Sequence, residues 1–174
     1  MGEIKSTLDL VMEKTKNLTL SAEEKQAQRQ KETQSRIKGL LQKYLDGLLA
    51  KDELKINYES LKKDTDLPID SAMINEIFSR LDPNGDNQLL LDILEECCRV
   101  NAAGLKTIID DCRSSYLEAA GERKAQLKEK LAQDYALSGS AVIPNLETDA
   151  QWSREEEKLR LRFEDLLNQE RDNL

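Results

Sequence analysis

Apolar residues recur along most of this chain at steps of three and four, the period of a helix buried on one face. Ile4, Leu8, Val11, Thr15 and Leu18 form the first such stripe. Ser21-Ala22-Glu23-Glu24 then has the form of a capping box that starts a new helix. From Glu23 to Arg36 that helix carries no large apolar residue, although Glu32 and Arg36 are spaced for an i,i+4 ion pair. Such a stretch is expected to be solvated, with residues 22–36 projecting from the body. Docking resumes at Ile37, Leu41, Tyr44 and Leu48. Read as one helix, residues 22–50 would be about 43 Å long.

The pattern continues through Leu54, Tyr58 and Leu61 and breaks at Asp64-Thr65-Asp66-Leu67-Pro68. Asp70 is placed to cap a helix carrying Met73, Ile74, Ile77, Phe78 and Leu81. A turn cluster follows at 82–87, then Leu89, Leu90, Ile93, Leu94 and Cys97. A long helix is predicted through Leu105, Ile109, Cys112 and Tyr116. Leu127, Leu131 and Tyr135 extend it past Gly121, which weakens a helix without having to break it. The one clear uncharged loop is Ser138-Gly139-Ser140-Ala141-Val142-Ile143-Pro144-Asn145. A last helix is expected from near Trp152-Ser153, with Trp152, Leu159, Phe163 and Leu166 on one face. Glu155–Glu157 suit its N-terminal dipole and Arg171 its C-terminal one. No strand pattern and no fixed-period repeat is present. Stripes this narrow predict an all-α fold: an elongated antiparallel bundle or coiled-coil hairpin of about five or six helices, in a single domain over 1–174.

Composition supports this and narrows the function. Of 174 residues, 34% are charged and only 4% aromatic, so the core must come from Leu, Ile and Ala. The net charge of −8 argues against a nucleic-acid partner, which needs a basic face. No apolar run is long enough to span a membrane. The first residues lack the basic leader, apolar stretch and cleavage site of a signal peptide, so a cytoplasmic protein is expected. Gly2 and Ser6 fit the loose myristoylation pattern, within a segment that already reads as an amphipathic helix. Cys97, Cys98 and Cys112 are most simply reduced core thiols; the vicinal pair leaves a redox sensor as a minor alternative.

Phe78-x-x-Leu81-Asp82-Pro83-Asn84-Gly85-Asp86-Asn87-Gln88-Leu89 resembles an EF-hand calcium loop. Asp82, Asn84 and Asp86 fall at the first, third and fifth ligand positions. The pattern then departs: Asn87 stands where the loop needs glycine, and Ile93 where it needs a bidentate glutamate. The competing interpretation is a turn whose Asp86 or Asn87 caps the next helix.

Glu95-Glu96 and Asp110-Asp111 are acid pairs of the kind a carboxylate metal centre uses, but neighbouring acids on a helix cannot both face a core. The chain has no histidine, which removes the histidine-containing di-iron bundles and the commonest general base. No P-loop, dinucleotide fingerprint or G-x-S-x-G is present. No catalytic residue and no cofactor are therefore expected.

The runs MGEIKSTLDLVMEKTKNLTLSAEEK (residues 1–25) and SGSAVIPNLE (138–147) are similar to an uncharacterised family of small helical bacterial proteins. The resemblance implies a bacterial cytosolic setting and carries no functional residues. The function expected is a non-enzymatic interaction module, an adaptor, assembly or chaperone-like factor. Its partner would be another protein or a second copy, and Val142, Ile143 and Pro144 are the candidate docking residues. The alternative is a calcium-responsive regulator acting through the 82–93 loop.

Overall fold

The computed structural model describes residues 21–174; the stripe at 4–18, the Gly2–Ser6 pattern and most of the first resembling run lie outside the described residues. The fold is all-α. Six helices follow one another, α1 (Ala22–Leu45), α2 (Lys51–Asp64), α3 (Ile69–Phe78), α4 (Gln88–Glu96), α5 (Ala103–Tyr135) and α6 (Ala150–Asp172), and no strand occurs among the described residues. The packing of α1 on α2 and of α5 on α6 is that of a helical bundle. Backbone contacts divide the chain into two compact units, Met1–Ala72 and Met73–Leu174.

In the first unit, the capping box forms as expected. The Glu24 amide donates to Ser21 Oγ at 3.1 Å, and the Ser21 amide donates to Glu24 Oε2 at 2.7 Å. Residues 22–36 are exposed apart from half-buried Thr33. They face Leu61 and residues 64–67 across a polar groove. Glu32 accepts from Gln28 rather than pairing with Arg36. Ile37 and Leu41 start the buried stripe.

The single 43 Å helix does not form. Gly47 sits at φ 70°, a left-handed conformation that glycine adopts without steric cost. The Leu48 amide closes back onto the Lys43 carbonyl at 2.8 Å, ending α1 with a helix-terminating turn. Leu48, expected on the docking face, is therefore exposed.

Helix α2 buries Leu54 and Tyr58. Asp70, in the first turn of α3, does not serve as a cap. Its carboxylate accepts the Tyr58 hydroxyl and pairs with Lys62 at 2.8 Å. Lys62 also lies over the Tyr58 ring, 5.3 Å from its centroid. These contacts tie the start of α3 to α2.

In the second unit, α4 buries Leu90, Leu91, Ile93 and Leu94 but leaves Leu89 exposed. Its C-terminus is closed by Arg99 at φ 58° and by the Val100 amide donating to Leu94 O at 3.0 Å. Helix α5 runs unbroken through Gly121, as its pattern predicts. It packs antiparallel to α6. Arg123 meets Asp149 at the start of α6, and a Cβ at Gly104, in the first turn of α5, would collide with the carboxylate of Glu170 near the far end of α6. That carboxylate is suitably placed for the positive end of the α5 dipole. Helix α6 starts at Ala150, slightly earlier than expected. Its buried face is Trp152, Phe163 and Leu167, while Leu159 and Leu166 are only half-buried.

Candidate functional site

Three places in the second unit could meet a partner or ligand: the 82–87 turn, the α5–α6 connection, and a groove between these two helices.

The turn is built to hold itself. Asp82 Oδ1 accepts from the Asn84 amide at 2.8 Å, and Asp86 Oδ1 accepts from the Gln88 amide at 3.0 Å. Each carboxylate thus closes a local side-chain turn. Asn87 is buried at 5% exposure. Its Oδ1 accepts from the Asp82 amide at 3.0 Å, and its Nδ2 donates to the Asp82 carbonyl at 2.6 Å. From outside the turn, Arg113 on α5 donates through Nε to the Pro83 carbonyl (2.9 Å) and through Nη2 to the Gly85 carbonyl (2.6 Å).

Asp82, Asn84 and Asp86 therefore lie in one turn, as expected, with Asp82 and Asp86 each committed to the backbone. No group of three or more carboxylates or thiols among the described residues could hold a metal ion. Asn87, which counts against a calcium loop in the sequence, is the brace of the turn. Its only prior signal is its place just before an apolar helix, which also suits a cap. Nothing local announces Arg113, 28 residues beyond Gly85.

The α5–α6 connection separates the three residues expected to dock a partner. Val142 is half-buried, Pro144 is buried and Ile143 is 81% exposed. With half-buried Leu146 and exposed Asn145 and Glu147, this is the alternation of an extended segment with one covered side. Val142 and Pro144 thus serve the fold, and Ile143 alone is presented outward. Tyr135 and Leu137, at the end of α5, are also exposed.

Asp149 anchors the end of this connection. Its carboxylate caps α6 by accepting from the Trp152 amide at 2.7 Å, and it accepts two hydrogen bonds from the Arg123 guanidinium. Arg123, with the capping amides, lowers the Asp149 pKa to about 2. A depressed carboxylate pKa adds stability that is fully present above the ordinary value near 4 and is lost as the pH falls toward 2. Asp149→Asn keeps a capping oxygen but removes the charge. Its deficit in melting temperature should be largest at pH 5 and above and should close by pH 2. A deficit that does not change with pH in thermal melts would show that the Arg123 pair contributes nothing to folding.

The groove has a volume of about 470 Å³ and is walled by α5, α6 and the turn at 82–84. Its floor is Ile108, Cys112 and Tyr116 on α5 and Leu159 and Leu166 on α6. Tyr116 packs edge-on against Trp152, with ring centroids 5.3 Å apart, and donates its hydroxyl to Glu156 at 3.0 Å. Burial, then the Glu156 contact, raises the Tyr116 pKa. Burial also raises the Cys112 thiol, against the opposing charge of Arg162. Cys112 is therefore held as a thiol, a weak nucleophile, at neutral pH. The groove thus joins an apolar floor to a rim that carries the carboxylates of Asp82, Asp111, Glu156 and Glu157.

No protein-family model matches the chain, and no curated protein and no solved structure shows significant similarity to it.

Proposed function

We propose that this chain is a non-enzymatic protein–protein interaction module, an adaptor, assembly or chaperone-like factor of the bacterial cytoplasm. The observation that carries the reading is that three outward apolar side chains lie at the end of α5 and along its connection to α6: Tyr135, Leu137 and Ile143. Exposed apolar side chains on a connecting segment, above all Ile143 at 81%, suit a docking site. The bacterial setting rests on the family resemblance. The net charge of −8 disfavours nucleic acid, and no helix among the described residues is long and apolar enough to cross a membrane. The calcium-responsive alternative has no comparable support: Ile93 stands where a calcium loop needs its bidentate glutamate, and among the described residues no group of three or more carboxylates or thiols could hold a metal ion.

Ile143→Asp tests this directly. Affinity purification from native lysate, with light scattering for a second copy, should lose its stoichiometric partner when Ile143 is charged. The helical circular dichroism should stay unchanged, since the side chain is outside the core. Equal recovery of the same partner by both proteins would sink the reading.

A further inference from the structure

We infer that the groove between α5 and α6 is a seat for one amphipathic helix of a partner protein, with its basic flank on the acidic rim. The inference rests on the interaction reading above but uses a separate surface from the Ile143 connection.

The groove has the layout of a helix seat. Ile108, Cys112 and Tyr116 follow one another at i, i+4 and i+8 along α5, and Leu159 and Leu166 are one heptad apart on α6. These positions form a second seam of the α5–α6 pair, beside the fully buried one made by Leu105, Ile109, Phe163 and Leu167. All five are half-buried, so this apolar seam is only partly covered among the described residues. Two antiparallel helices with an open seam accept a third helix by the packing used in bundles and in helix-in-groove recognition. From Ser153 to Leu166 the groove follows α6 for about 20 Å, the length of a helix of about four turns.

Charge selects among such helices. The groove is lined by Asp82, Asp111, Glu156 and Glu157, against Arg160 and Arg162. Arg160 is shared between Glu157 and Glu164 and is already spent. Arg113, beside the turn, is likewise engaged by the Pro83 and Gly85 carbonyls, so among the lining residues the carboxylates of Asp82, Asp111 and Glu156 outnumber the guanidinium of Arg162. A helix bearing lysine or arginine beside its apolar stripe complements this rim, and one bearing glutamate is repelled.

Trp152, the only tryptophan of the chain, packs against Tyr116 on the groove floor and reports occupancy. The test titrates the full chain with two stapled helical peptides of about four turns, sharing one leucine stripe and flanked by lysine or by glutamate. The lysine peptide should shift Trp152 emission saturably and bind less tightly as salt rises. The glutamate peptide should bind roughly tenfold more weakly. Asp111→Lys should weaken the lysine peptide, whereas Glu118→Lys, the same charge change at an exposed position outside the groove, should not.

No saturable shift, equal binding of both peptides, or equal effects of the two lysine variants would overturn the inference. A dimer weakened by Asp111→Lys would also overturn it, by assigning the groove to a second copy. Loss of the native partner in Ile143→Asp despite failure of the peptide would leave the interaction reading standing and remove only the groove.

Discussion

Replacing Asn87 by glycine should destabilise the second unit by about 2 kcal/mol, even though it moves the 82–93 segment closer to a calcium-loop pattern. Asn87 lies at φ −99°, which any residue adopts, so glycine relieves no strain. The substitution removes the one side chain that pairs with both the amide and the carbonyl of Asp82. Two hydrogen bonds from a buried side chain contribute about 1–3 kcal/mol together, and glycine adds backbone entropy to the unfolded chain. For a unit of this size, the midpoint of thermal unfolding should fall by about 10 °C. Millimolar calcium should restore none of it, because the loop still has Ile93 where the bidentate glutamate of a calcium site is needed. A variant as stable as the parent would show that the turn does not depend on Asn87. A calcium-dependent rise in melting temperature would instead show that Asp82, Asn84 and Asp86 gather around a cation.

A larger loss is expected for Trp152→Ala, about 3–5 kcal/mol. Trp152 is 3% exposed and lies in the first turn of α6, where it packs edge-on against Tyr116. Removing the indole leaves a cavity at the place where the capped start of α6 meets α5. Asp149 would keep its hydrogen bond to the residue-152 amide, so the effect should report packing rather than capping. Single domains are commonly stable by only 5–15 kcal/mol, so a large part of that margin disappears. Urea unfolding followed by far-ultraviolet circular dichroism measures it, since the variant has no tryptophan to follow. A loss under about 1 kcal/mol would mean that the α5–α6 pair does not depend on this contact.

Both residues are conspicuous in the sequence, yet only Trp152 could be placed correctly from it. An aromatic at the head of a stripe that includes Phe163 belongs on a buried face, because a helix sets its faces by period alone. Asn87 looked like a fault in a calcium loop, since loop patterns assign positions without showing where a side chain turns. Val142, Ile143 and Pro144 show the same gap on a smaller scale. Their run is apolar throughout, and only the path of the backbone makes Pro144 buried and Ile143 exposed. Leu48 fits the helical period, but Gly47 ends α1 first and turns it outward.

What this sequence determined by itself is therefore what local periodicity and composition govern. That covers an all-α fold, the order of its helices, the Ser21 capping box, the unbroken passage of α5 through Gly121, and most of the buried stripes. The tertiary structure alone decided the rest. Arg113 reaches the turn from 28 residues away, Arg123 clasps Asp149 across 26, and Cys112 and Leu159 come to share one groove. Such pairings depend on how two helices lie against each other. A stripe records that a face will be covered, but the partner that covers it is selected by packing between distant parts of the chain.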